Sequence, residues 1–224
     1  MSSRMWIALL YSASLLLGQS SRPSPDFEAP TVGVLLKFQQ KPGPGFVKQL
    51  RGAVREIFRP TGLDMRLEVL DAKTPSQQYD RAVVVDMHGR CTTWPAEDLP
   101  EPAEGTVLLG FTRVQEGEVI PFAAVDCDQI ARVVAGMRHQ THNRLILQTT
   151  HRQALARVLT HELLHVLLAE PEHHDTDCLR SPLRPFDLSI QPRLKAPEIL
   201  ALRQVGRPSG PVLADRPNAK PPAP

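Results

Sequence analysis

The sequence feature that most constrains the fold is a leucine-rich run from Ala154 to Ala169, with the pentapeptide HELLH (residues 161–165) in its middle. Every residue of the run is a strong or tolerable helix former, and Thr150 with Gln153 makes a capping-box pattern just before it. Pro171 ends the pattern, because proline cannot continue a helix interior. The sequence therefore predicts a buried helix that carries two histidines and a glutamate at its centre.

The spacing of these polar residues is typical of a metal site that performs chemistry. His161 and His165 are four residues apart, so on a helix both imidazoles can bind one Zn²⁺ ion, which needs about four ligands. Glu162 can reach a water on the ion without binding the ion itself, and would act as general base while the ion polarises a carbonyl group. In the alternative interpretation the two histidines are core residues bonded to backbone carbonyls, and Glu162 lies at the surface.

A third metal ligand is expected from the loop after Pro171, which is crowded with ligand-type side chains. His173 is the first candidate and His174 is the alternative, while Asp175 and Asp177 offer carboxylates. This density of ligands directly after the HELLH helix favours a complete metal site over a pair of structural histidines.

With these residues, the chain resembles the zincin metallopeptidases, and in particular their metzincin branch, whose pattern is HExxHxxGxxH followed by a methionine turn. The likeness implies a zinc-dependent metallopeptidase that hydrolyses peptide bonds, with His161, His165 and His173 as zinc ligands. Glu162 is then the catalytic base. The likeness also implies that a peptide or protein substrate pairs with an edge strand of the sheet, for which the segment Val119–Val125 is expected.

The chain departs from the metzincin pattern in several places. Leu168 stands where metzincins have the glycine, and Pro171 stands where they have the third histidine, so the third ligand is expected two residues later. Leu179 stands at the methionine-turn position. A gluzincin-like site would instead take Glu198, and an aspzincin-like site would take one of the two aspartates of the loop. A function of another class stays open: an inert, exported zincin-fold module that holds zinc in a closed shell, for instance with Cys178.

The two ends of the chain suggest export and a single central domain. Arg4, the apolar run Met5–Leu17 and the small residues after it match a secretory signal peptide. The run is shorter than the roughly 20 residues of a spanning helix, so we expect a periplasmic or extracellular protein without stable membrane insertion after cleavage. The predicted organisation is a signal peptide over residues 1–20, a leader over 21–30, the metallopeptidase domain over 31–206, and a disordered, proline-rich tail over 207–224.

Composition argues against one class of partner and leaves the cysteines partly open. The formal net charge is +2 without a basic block, which argues against a nucleic-acid partner. In an exported protein one disulfide is expected, Cys91–Cys127, with Cys178 left over, although Cys178 could pair with either of the others.

The remaining hydrophobic pattern predicts an α+β domain, in which a small, mixed, twisted sheet packs on helices and one helix carries HELLH. Alternating apolar residues predict strands at Thr31–Phe38, Met65–Leu70, Ala82–Met87, Thr106–Val114 and Val119–Val125. Helical spacing and capping residues predict helices at Phe46–Phe58, from Asp128 to about Met137, at Ala154–Ala169 and at Pro192–Val205.

Overall fold

The computed structural model of the protein describes residues 29–71, 78–93, 107–137, 143–173, 178–179, 183 and 185–205. Within these residues the strands are β1 (Thr31–Phe38), β2 (Asp64–Val69), β3 (Arg81–His88), β4 (Gly110–Gln115) and β5 (Glu118–Asp126). The helices are α1 (Phe46–Phe58), α2 (Cys127–Gly136), α3 (Arg144–Leu168), α4 (Pro185–Ser189) and α5 (Ala196–Val205), and a 3-10 turn spans Arg59–Thr61. A mixed sheet packed on helices confirms the predicted fold class.

The five strands lie in the order β2-β1-β3-β5-β4, in which β4 alone runs antiparallel to its neighbour. The hairpin between β4 and β5 turns at Glu116 and Gly117, whose φ values of 53° and 85° suit the tight turn between twisted strands. β2 and β4 are therefore the two edges of the sheet. The expectation that Val119–Val125 forms an edge is wrong, because β5 pairs with β3 on one side and β4 on the other.

One face of the sheet forms the core together with the helices. Alternate residues of the central strands are buried, as Val32, Val34 and Leu36 are in β1, because successive side chains of a strand point to opposite faces. α1 turns a single apolar side toward the same core and has the bounds that its helical spacing predicts. The alternation of apolar residues in the strands and the helical period of α1 thus determine which face of the sheet and which side of the helix turn toward the core.

The longest helix, α3, is buried continuously over residues 154–167, as expected of a helix that is apolar all round. It starts at Arg144, well before the predicted start, because the Asn143 side chain accepts hydrogen bonds from two backbone N–H groups of the first turn at 3.0 and 3.4 Å. The capping box expected at Thr150 and Gln153 is therefore wrong, and Thr150 lies buried inside the helix.

Three smaller differences concern the other helices. Asp126, rather than Asp128, caps α2, and its carboxylate accepts a hydrogen bond from the Gln129 backbone N–H at 2.9 Å. α5 begins at Ala196 rather than Pro192. The short helix α4 was not predicted, because five residues are too few to show a helical period.

A disulfide joins Cys91, just after β3, to Cys127, the first residue of α2, and confirms the expected pairing. Cys178 is buried and lies outside the disulfide. The expected signal peptide (1–20), the leader up to residue 28 and the tail (207–224) lie outside the described residues, so the domain boundaries stay predictions. In the described part of the chain, no helix combines the length and the apolar character needed to cross a membrane.

Candidate metal centre

Three histidines converge where α3 meets the segment that follows it. His161 and His165 lie one turn apart on α3, with their Nε2 atoms 3.2 Å apart. His173 reaches back from beyond the helix, and its Nε2 lies 3.2 Å from Nε2 of His161. One ring nitrogen from each residue lies within 4.8 Å of the other two, so the structure brings together the three residues that the sequence singles out as ligands.

A sharp turn at the end of α3 returns the chain to the site. Ala169 adopts the left-handed conformation with φ 53°, and the next N–H, that of Glu170, donates to the backbone oxygen of His165 at 3.0 Å. The resemblance to metzincins places a glycine one residue earlier, at Leu168, which here remains helical. The turn therefore needs no glycine in this chain, and it brings His173 within reach of the two helix histidines.

Backbone carbonyls fix the orientation of both helix histidines. Nδ1 of His161 contacts the carbonyl oxygen of Cys178 at 2.7 Å, and Nδ1 of His165 contacts that of Glu170 at 2.5 Å. A carbonyl oxygen only accepts hydrogen bonds, so each Nδ1 must carry the proton. Each Nε2 is then unprotonated and directs its lone pair into the space between the rings.

This arrangement fits a bound cation. Two lone pairs that face each other at 3.2 Å repel, and burial lowers the pKa of His161 to about 4, so no proton fills the gap at neutral pH. A metal ion bound between the rings would supply the missing positive charge. Zinc–nitrogen bonds of about 2.0–2.1 Å in a tetrahedral site place two ligand nitrogens roughly 3.3 Å apart, close to the observed spacing. Three imidazoles are also a donor set that Zn²⁺ binds readily.

Glu162 directly follows His161 on α3 and is only 4% exposed. Burial raises the pKa of its carboxyl to about 7, and a hydrogen bond from Thr112 opposes that rise. The Thr112 hydroxyl on β4 donates to Oε2 at 2.8 Å, whereas Oε1 makes no hydrogen bond to any residue in the described ranges. The expectation of the structural alternative, that Glu162 lies at the surface, is therefore wrong.

The other ligands considered from the sequence do not join the cluster or lie outside the described residues. The carboxylate of Glu198 accepts a hydrogen bond from the Lys195 N–H at 2.6 Å at the start of α5. The sulfur of Cys178 donates to the Arg193 carbonyl at 3.4 Å, although its own carbonyl orients His161. His174, Asp175 and Asp177 fall in a range that the structure leaves undescribed. Among the residues that it does describe, no carboxylate or thiol completes a fourth ligand.

Thr112 and Gly110 are the neighbours of the site that the sequence did not reveal. Both belong to β4, Thr112 is fifty residues before Glu162 in the sequence, and a Cβ atom on Gly110 would lie 3.0 Å from Glu162 Oε1. No local pattern marks either residue, because their role depends on which strand the fold places beside α3.

Comparison with known proteins gives one distant structural likeness. No protein-family model and no curated protein sequence matches the chain. A solved structure of archaemetzincin (amzA) from Methanopyrus kandleri is similar, with a TM-score of 0.44 and 14% sequence identity. The similar region covers 81% of this chain and 97% of the archaemetzincin chain.

Proposed function

We propose that this protein is a zinc-dependent metallopeptidase of the metzincin-like type. The observation that carries the proposal is the convergence of three histidine nitrogens, two of them fixed as lone-pair donors, beside a buried glutamate. A histidine as the third ligand favours the metzincin type over a gluzincin-like site with Glu198.

Each residue of the site has a separate role in the proposed hydrolysis of a peptide bond. His161, His165 and His173 would hold the metal through their ring nitrogens. Bound zinc would supply Lewis-acid chemistry, polarising the substrate carbonyl and acidifying a water. The Glu162 carboxylate would take a proton from a water molecule whose oxygen attacks the carbonyl carbon, and would pass that proton to the amine nitrogen as the carbon–nitrogen bond breaks, which is general base and then general acid catalysis. The burial of Glu162 keeps bulk water away from this transfer.

The substrate is a peptide or protein segment, which we propose pairs with the open edge of β4 rather than with β5. β4 lies next to Glu162 through Thr112, so a strand added there would pass the base. Phe111 and Val114 of β4 are 41% and 47% exposed and offer apolar contacts to such a strand.

Export to the periplasm or the cell exterior remains part of the proposal. The signal-peptide pattern of residues 1–20 is its basis. The Cys91–Cys127 disulfide supports it, because disulfides persist mainly in oxidising compartments.

Metal analysis with three proteins tests the function. We expect about one zinc per chain in the wild type, and loss of that zinc in a His161→Ala/His165→Ala variant that remains folded. Glu162→Gln should keep zinc but lose roughly 10²- to 10⁴-fold in the rate of peptide cleavage.

Two results would contradict the proposal in different ways. A wild-type protein that is folded but takes up no zinc on reconstitution would exclude the metal site. Zinc uptake combined with equal, background-level cleavage by wild type and Glu162→Gln would favour the inert zinc-binding module.

A further inference from the structure

Building on the proposed function, we propose that Thr112 of β4 is a positioning residue for the catalytic base. Its hydroxyl anchors one carboxylate oxygen of Glu162, so that the other oxygen stays available for proton transfer. The inference rests on a contact between the edge strand that would bear the substrate and the helix that bears the metal ligands.

The hydrogen-bond geometry separates the two oxygens of Glu162. Thr112 Oγ1 lies 2.8 Å from Oε2 and 3.2 Å from the backbone oxygen of the same glutamate. The hydroxyl has one proton, and the backbone oxygen already lies within the hydrogen-bond ladder of α3. The contact to Oε2 is the shorter of the two, so the proton is directed to Oε2 and Oε1 keeps its lone pairs.

The anchor matters because a glutamate side chain has three rotatable bonds and a base must hold one position. Within the described residues, the bond from Thr112 is the one directional contact on the Glu162 carboxylate. Misplacing a catalytic group by about 1 Å can cost about 10²-fold in rate. A hydroxyl on a hydrogen-bonded strand is therefore a rigid support for this side chain.

Gly110 clears the space next to the other oxygen. Residues 110 and 112 are two apart on β4, so both sit on the strand face that turns toward α3. A Cβ atom at Gly110 would lie 3.0 Å from Oε1 and 2.8 Å from the Ala124 backbone oxygen. The strand thus holds Oε2 with one residue and leaves room beside Oε1 with the other.

Removing only the hydroxyl tests the proposal. In Thr112→Val, which keeps the shape of the side chain, we expect kcat to fall roughly 10- to 100-fold while KM changes less than about threefold. Zinc content should stay at the wild-type value. Thr112→Ser restores the hydroxyl and should recover most of kcat.

A hydrogen-bonded threonine elsewhere in the fold, Thr61, provides the control and is buried, whereas Thr112 is half-buried. The Thr61 hydroxyl donates to the Phe58 carbonyl at 2.7 Å in the 3-10 turn, away from the histidines. Thr61→Val should lower the melting temperature by an amount similar to Thr112→Val and leave kcat unchanged. Equal kcat in wild type and Thr112→Val, or equally low kcat in the valine and serine variants, would overturn the proposal.

A double-mutant cycle tests the contact without any catalytic readout. Unfolding constants are measured for wild type, Thr112→Val, Glu162→Met and the double variant in the same buffer. We expect the effects of the single changes to depart from multiplicativity by roughly fivefold or more. Independent effects would refute the anchor even if the protein is a peptidase, and coupled effects would support it even if no peptide is cleaved.

Discussion

The two edge strands of the sheet, β2 and β4, differ in the hydrogen bonds that their outer backbone groups make. At the β2 edge, Arg51 of α1 donates to the Leu67 carbonyl at 2.8 and 3.1 Å, and Arg55 donates to the Met65 carbonyl at 3.0 Å. At the β4 edge, within the described residues, only β5 hydrogen-bonds to the strand backbone. An exposed edge invites pairing with another chain, so a fold normally protects it. Among the described residues, the edge that is left uncovered is therefore the one that lies next to Glu162.

The largest effect is expected from a substitution that fills the space beside β4. Gly110→Ala places a Cβ atom 2.8 Å from the Ala124 backbone oxygen and 3.0 Å from Glu162 Oε1, so β4 or the base must move. We expect kcat/KM for peptide cleavage to fall roughly 100-fold, with a loss of about 1–3 kcal/mol in the free energy of unfolding.

Gly52→Ala on α1 is the matched control for that change. No atom lies within 4 Å of the new methyl group, and Gly52 is an exposed helix residue. The substitution should raise the free energy of unfolding by about 0.5–1 kcal/mol and leave cleavage unchanged. Wild-type activity in Gly110→Ala would show that the added methyl group does not displace the catalytic base Glu162.

The effect of low pH on stability tests the packing of α1 against α3. His151 of α3 borders a small cavity together with Phe46 and Leu50 of α1, and burial lowers its pKa to about 4. Neither of its ring nitrogens makes a well-formed hydrogen bond to a described residue. The backbone of Thr93 raises the pKa of His151, but by less than burial lowers it. This histidine is therefore held neutral.

The sign of the pH effect follows from the lowered pKa. Between about pH 6.5 and pH 4 the unfolded chain binds a proton at His151 that the folded chain does not, so stability falls as the pH falls. The contribution of this residue to the loss is about 3 kcal/mol at most. Denaturant unfolding of wild type and His151→Leu between pH 7 and pH 4 measures it. Parallel pH profiles for the two proteins would contradict the buried neutral state.

Local features could be predicted from the sequence, whereas the two edges could not. β1 and α1 have the predicted bounds because their apolar periods are uninterrupted, and the cluster of His161, His165 and His173 follows from short spacings. The neighbour of an edge strand depends on sheet order, which no single segment encodes. The order places β4 rather than β5 outermost, and thereby brings Thr112 to a glutamate fifty residues away.

Opening the protected edge should have a moderate effect. Arg51→Ala/Arg55→Ala removes three hydrogen bonds to β2 carbonyls, which we expect to cost about 1–2 kcal/mol of unfolding free energy. The uncovered edge should also cause concentration-dependent association, which sedimentation velocity detects. Arg59→Ala removes only the exposed pair with Glu56 and should change stability by less than about 0.5 kcal/mol. A double variant that is monomeric and fully stable would show that the arginines do not protect β2.

The smallest effect is expected from a charge placed at the open edge. Val114 of β4 is 47% exposed, and Leu70, which follows β2 at the protected edge, is 39% exposed. If peptides add to β4, Val114→Lys should raise KM for apolar peptides about threefold, with kcat unchanged, because an apolar contact is replaced by a solvated charge. Leu70→Lys makes the same change where no peptide is expected and should leave KM unaltered. Equal KM values in both variants would place the substrate elsewhere than on β4. A lower KM of Val114→Lys for acidic peptides would instead show that the side chain of residue 114 contacts the substrate directly.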